Sequence, residues 1–496
     1  MKTRYFSILG LLIVLLLTCG CQKNPNGNLV VSKNDGSFDV SIIQSASDAE
    51  TTHEDKMSSE SSGIDNSFRY NNIFVSTDKT VEFNIALDMN IQNCAMPVVE
   101  VTPHNLTEED AKHIAQVLFG DAVFYEAEPL GEEIYSVAEI QDKINRLLSY
   151  QGNVGVANSS FDATRKKFIE KYTLRMEVAP AENQHKLCQW NYRKASYYYW
   201  PTEDFEKMDT SQDNDEIQVR VKTNGIPYLY TVSTRNKRDF KLNNIYVSIN
   251  DGMNTLFADP YIFQNQLCST SRPTPKDIDT LINRTENLLN QIDLGEWKID
   301  EYYIEEANHN ETPEYTIVIN AVPEFNGVAA IRRDQLTNLK SSTSYASNYY
   351  LTDVQFKFNI SGELIEFTMF SPIDVKSTIN ENVKTLGMDE LVRRAEEHLS
   401  LSDYYQYDYM GYLNGNKEEM ICQIDIPIME YGLTRVKAPN TDESYYYVPS
   451  VFFRGKIQYQ EKETGNVYSV DTYTGKDHIL LILNAIDGSV INATNE

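Results

Sequence analysis

Side chains able to do acid–base, nucleophilic or metal chemistry are sparse in this chain and set far apart. It has seven histidines. None has a second histidine four residues on with a glutamate beside it, the spacing that puts two zinc ligands and a base on one helix face. His53 lies in a polar stretch, His113 falls opposite the apolar stripe of an expected helix, and His185 and His309 sit among polar residues. His104 precedes a helix, His478 precedes the last strand, and His398 reads as a partly buried packing residue. No Gly-x-Ser-x-Gly elbow, Walker-type loop, Gly-x-Gly-x-x-Gly turn or Ser-x-x-Lys sequence stands in a setting that would serve its chemistry. Asp209, Asp213, Asp215 and Glu216 form an acidic run that lacks the glycine and distal glutamate of a calcium loop, so it reads as a solvated turn. The sequence therefore assigns no catalytic residue, no metal ligand and no cofactor.

Beyond the N-terminal region four cysteines remain, Cys94, Cys188, Cys268 and Cys422, without a C-x-x-C pair. That excludes a zinc signature and a dense disulfide framework, and leaves one disulfide among the four open. Cys422 alternates with Ile424, Ile426 and Ile428, the pattern of a core-facing strand. The cysteine that carries most meaning is Cys21. Lys2 and Arg4 are followed by an apolar run from Phe6 to Leu17 and then by Thr18-Cys19-Gly20-Cys21. An α-helix needs about 20 apolar residues to span a bilayer, so this shorter run reads as a secretory signal. Its end resembles the lipobox of bacterial lipoproteins, with cleavage after Gly20 and a diacylglyceryl group on the Cys21 sulfur. Cys19 competes, though Thr18 is the poorer residue at a cleaved position, and an ordinary signal with an incidental cysteine is the plain alternative. Two or more acyl chains give stable anchoring where one does not. The expected location is the extracytoplasmic face of a cell membrane, tethered by lipid.

The formal charge is −28, and loss of residues 1–20 takes Lys2 and Arg4 with it, leaving −30. Such a balance repels polyanions, which argues against nucleic-acid partners. At 496 residues the chain exceeds one ordinary core. Thirty-two tyrosines against three tryptophans suit a β-rich protein with some amphipathic surface. Tyr197-Tyr198-Tyr199-Trp200 is the densest aromatic run and a candidate contact for sugar rings or a partner's apolar groups, and Tyr445-Tyr446-Tyr447 is a later echo.

Elements that would position these residues follow from periodicity. Residues 29–32 and 38–43 flank Asn34-Asp35-Gly36 as a short hairpin, and residues 45–67 hold too few large apolar side chains to form a core. Residues 21–67 thus read as a tether. Helices are expected from Thr107, with a near capping box and Ala111, Ile114, Ala115, Leu118 and Phe119 on one face, and from Ser136, with Glu139 completing a capping box. A third helix is expected over 162–176, a fourth after Thr274-Pro275 and a fifth over 388–399. Strands fill the rest. The pattern predicts one helix followed by several antiparallel strands three times over, giving an α+β fold of repeated units with divisions at 68–270, 271–386 and 387–496.

The lipobox, Met96-Pro97-Val98-Val99-Glu100-Val101-Thr102-Pro103, Asn320-Ala321-Val322-Pro323 and Asn484-Ala485-Ile486-Asp487-Gly488 together resemble a group of uncharacterised lipoproteins of clostridial-type Gram-positive bacteria. The resemblance implies location and layout but no activity. More loosely, the helix-then-strands units closing on an Asp-Gly turn are similar to PepSY-type domains and to the extracytoplasmic YycH and YycI regulators. The expected function is a non-enzymatic module that binds an envelope protein or peptide, with a solute or glycan receptor as the alternative and a cell-wall hydrolase behind both.

Overall fold

Capping starts the helices where the sequence places them. In this computed structural model the described residues are 38–46, 67–76, 79–88, 95–127, 135–149, 159–182, 184–194, 214–237, 240–249, 271–309, 312–331, 352–401, 420–439, 444–469 and 478–491. Helix α1 (Glu108–Phe119) opens on a reciprocal box in which the Thr107 hydroxyl accepts from the Asp110 amide and the Asp110 carboxylate accepts from the Thr107 amide. Helix α2 (Val137–Ser149) uses Ser136 and Glu139 in the same way, the Ser136 amide donating to Glu139 Oε2 at 2.8 Å. Helix α3 (Ser159–Met176) covers the third expected helix. Helix α4 (Pro275–Ile292) has its proline in the first turn, where no amide donor is lost, behind a Thr274–Asp277 box. Helix α5 is Met388–Leu401.

Eighteen strands are described, and the molecule is α+β. The larger sheet is an unbroken stretch of chain, comprising β4 (Phe124–Glu126), β5 (Arg193–Lys194), β6 (Asn214–Thr223), β7 (Ile226–Lys237), β8 (Phe240–Ile249), β9 (Trp297–His309), β10 (Thr312–Phe325), β11 (Val328–Ala329), β12 (Asp353–Phe358) and β13 (Leu364–Phe370). Its order is β11-β10-β12-β13-β8-β7-β6-β4, with β9 on β10 and β5 on β6. Alternation decides its two faces. Ile217, Val219 and Val221 on β6, Tyr228, Tyr230 and Val232 on β7, and Phe356 and Phe358 on β12 turn inward against Ile114 and Ala115 of α1 and Leu281 and Leu289 of α4. Every buried member of this core lies between Leu106 and Met369. The Arg284 guanidinium sits 5.4 Å above the Phe358 ring and donates to Gly362 O, fixing α4 over the β12–β13 hairpin.

The smaller sheet is built from both ends of the chain. Its order is β1 (Ser67–Ser76), β2 (Lys79–Asp88), β15 (Met420–Lys437), β16 (Tyr445–Glu461), β3 (Val98–Pro103) and β14 (Ile373–Asn380), with β17 (Val467–Ser469) and β18 (His478–Asn484) on β16. Val81, Phe83, Ile85, Cys422, Ile424 and Ile426 face Leu391, Val392, Ala395 and Leu399 of α5. Thus the larger sheet is inserted between β3 and β14, which are neighbours and pair Ile373 with Pro103. The division at 270/271 falls inside the β8–β13 pairing, and that at 386/387 inside the β3–β16 pairing. Strands β4–β8 after α1 and β9–β13 after α4 share one sheet, whereas β14 and the strands after α5 join strands that precede α1.

Two seams join the sheets. At one, Ile331 N donates to Leu433 O at 3.0 Å beside Gly432, where a Cβ would overlap the Ile331 side chain. At the other, Ser371 N donates to Asn243 O and His104 N to Pro372 O, both at 2.8 Å, and the Asn243 amide reaches His104 O. The Arg435 guanidinium and Thr352 hydroxyl continue this seam at 3.2 Å.

Residues 38–46 depart from the expected hairpin. Val40–Ile42 is a 3-10 turn capped by Asp39, Phe38 is buried edge-on against Tyr446, and the Phe38 amide donates to Lys437 O at 3.0 Å. Burial of the Phe38 ring outweighs the local β preference of this segment. Tyr445, Tyr446 and Tyr447 are all buried in β16, so this aromatic echo is core.

Candidate functional site

The outer face of the smaller sheet, next to β1, carries rows of polar side chains. Period-2 alternation that turns Phe83 and Ile424 toward α5 sends Glu82, Asn84, Gln423 and Asp425 to the opposite side. Register then lines them up. One row runs Asn71, Asn84, Asp425 and Lys456, and the next runs Ile73, Glu82, Gln423 and Gln458. The Asn71 amide donates to Asn84 Oδ1, and Asn84 Nδ2 donates to Asp425 Oδ1 at 3.0 Å. Gln423 Nε2 donates to Glu82 Oε2 at 3.2 Å and to Gln460 Oε1 at 3.3 Å.

The floor of this surface dips where β15 carries one extra residue between Asp425 and Ile428. Gly455 on β16 lies opposite, and a Cβ there would overlap the Asp425 carbonyl oxygen. The bulge therefore depends on glycine at that position. It opens a depression of about 410 Å³ lined by Asn84, Ala86, Asp425, Pro427, Lys456 and Gln458.

The rim is β1 itself. Its inner face is gripped by α5: the Tyr70 hydroxyl donates to Glu396 Oε2 at 2.9 Å and Asn72 Nδ2 to Glu396 Oε1 at 2.5 Å. Burial, with Glu396 alongside, pushes the Tyr70 hydroxyl above its ordinary range. The other flank of β1 pairs with no strand among the described residues. Sheet edges normally carry defences such as charges, proline or bulges. The opposite edge, β14, has Asp374, Lys376 and two register shifts. Strand β1 pairs with β2 over ten residues without a shift, and Arg69 is its one charge. Ile73 and Val75 stand 62% and 77% exposed on it. Free amides and carbonyls, exposed β-branched side chains and adjacent amide rows are what an added extended strand requires.

The larger sheet also has a polar outer row, but its groups are absorbed by one another. Asn320, fully buried, donates to Glu301 at 3.2 Å and accepts from Gln355 at 3.0 Å, while Lys357 lies between Glu305 and Glu366.

Residues singled out in the sequence fare unevenly. Gly20, Cys21, Cys94, Tyr197, Tyr198, Tyr199, Trp200, Asp209, Asp213 and Cys268 lie outside the described residues, as does His53. Cys422 is buried in the core of the smaller sheet, as its alternation implies, and burial raises the thiol pKa of Cys188. Asp215 pairs with Lys194 at 3.0 Å, and Glu216 is buried on β6. His113 Nε2 lies 2.8 Å from Gln291 O and ties α1 to α4. His104 is held between Asp374 at 2.7 Å and Asp110 at 3.3 Å. Burial lowers the pKa of His398, in keeping with a packing role. No cluster of metal-ligating side chains occurs among the described residues. The sequence reading missed the β1 edge, because whether a strand lies at an edge is decided by distant partners; the one local hint is the near absence of charge from residues 67–76.

No protein-family profile matches the chain, and no curated protein matches it. Among solved structures it is similar to an uncharacterized protein from Eubacterium rectale ATCC 33656, at 13% identity and a TM-score of 0.32 over 85% of this chain and 92% of that one.

Proposed function

We propose that this chain is a non-enzymatic recognition protein, held on the outer face of a bacterial membrane by acyl chains on Cys21, that binds an envelope partner by adding an extended segment of it to the edge of β1. The observation that carries the reading is the unbroken, charge-poor edge with Ile73 and Val75 exposed. Main-chain hydrogen bonds would supply affinity, and the Asn84, Asp425 and Gln423 rows would set side-chain preference. The leader-like residues 1–20 support placement at a membrane, and residues 22–37, which lie between Cys21 and the docked Phe38, are the stretch left to act as a spacer.

The test is cross-linking of the full chain in cells, comparing the wild type with an Ile73→Lys/Val75→Lys variant. Charge on an edge strand opposes strand addition and barely touches the core. We expect a discrete cross-linked partner that falls at least tenfold in yield in the variant, with an unchanged melting temperature. An undiminished yield, or no partner at all, refutes the reading.

A further inference from the structure

We infer that α3 is a second contact element, one that lays a cationic and aliphatic face onto an anionic lipid bilayer. The helix has two working sides. Tyr172 is buried, and Ile169 and Met176 pack against the core of the larger sheet. The opposite side carries Lys167, Lys171 and Arg175 at intervals of four, and beside them Leu174 and Val178, 65% and 86% exposed. A shallow open depression runs between these stripes, lined by Lys167, Glu170, Lys171, Leu174, Arg175 and Val178.

Two features point to a bilayer rather than a folded partner. Residues 159–176 carry five basic side chains against two acidic ones, in a chain whose formal charge is −28. A chain of that net charge is repelled as a whole by an anionic sheet of headgroups, so a locally basic helix lowers the cost of approach on its own side and would favour one orientation of the molecule. The described side chains of this face are also mainly aliphatic and basic. Long basic stems flanking bare leucine and valine suit a headgroup boundary, where the charge meets phosphate and the aliphatic groups enter the acyl margin. The choice of a bilayer as occupant rests on the membrane placement proposed above.

The experiment is co-sedimentation of the full chain with vesicles of phosphatidylcholine alone and of phosphatidylcholine mixed equally with phosphatidylglycerol. The Phe6–Leu17 run contributes equally to every variant, so the readout is the change between variants. Lys167→Glu/Lys171→Glu/Arg175→Glu is expected to cut the preference for anionic vesicles by roughly 10- to 100-fold, and salt is expected to erase that difference. Leu174→Ser/Val178→Ser is expected to weaken binding to both vesicle types. Unchanged circular dichroism and melting temperature show that the variants fold. The inference is overturned if the charge-reversed chain keeps its preference, or if soluble polyglutamate displaces the wild type as well as phosphatidylglycerol does, which would make an acidic protein the partner. Mass spectrometry of Cys21 separates the two readings. An unacylated chain with α3-dependent binding overturns the tether alone, and an acylated chain without it overturns this inference alone.

Discussion

Glu139 shows how one carboxylate can serve two tasks. It closes the capping box of α2 and receives His185 Nε2 at 3.2 Å. Burial pushes its pKa up, but hydrogen bonds from His185 and Ser136 outweigh that and bring it down to about 2. A carboxyl depressed on folding adds stability above its unfolded pKa, near 4.5, and loses it as pH falls toward 2. The side chain is 34% exposed, so solvent screens part of the effect. Glu139→Gln is expected to cost about 1 kcal/mol at neutral pH, the ordinary worth of a cap. In thermal melts from pH 7 to pH 2, the gap between variant and wild type should narrow below pH 4.5 and close near pH 2. A constant gap would mean that the carboxylate charge contributes nothing.

Helix boundaries were legible because caps and apolar stripes are local. Thr107, Ser136 and Thr274 start their helices as read, and Ala111, Ile114, Ala115 and Phe119 are buried as the spacing requires. Thr274→Ala, which removes the acceptor for the Asp277 amide and leaves Asp277 without its reciprocal partner, is expected to cost about 1 kcal/mol, measured by urea unfolding. Strand partners were not legible. Asn84 and Asp425 are 341 residues apart and belong to a parallel pair, and nothing in the alternation of either strand names the other. The candidate edge was hidden for the same reason. Residues 38–43 misled in the opposite direction, since burial of Phe38 against Tyr446 is a tertiary event that overrides local β preference.

At the scale of the molecule, the larger sheet is a self-contained insertion. Its core is drawn from Leu106 to Met369 alone, and its chain leaves and returns through the paired strands β3 and β14. Paired Cα atoms in an antiparallel ladder are about 5 Å apart, so the ends of the insertion meet without strain. Residues 105–371 expressed alone are therefore expected to fold, giving β-rich circular dichroism and one cooperative melting transition. A broad, non-cooperative melt would show that the seams at Leu433 and Asn243 are needed for that core to form.

The same wiring imposes an order on biogenesis. Strand β2 emerges from a ribosome or a secretion channel long before β15, so Val81, Phe83 and Ile85 have no lasting cover until nearly all the chain has been made. During that interval the insertion can mature, while the β1–β2 hairpin stays greasy, adhesive and in need of a chaperone. A late truncation before residue 420 would leave it so permanently, and the damage would appear at the opposite end of the sequence from the cut.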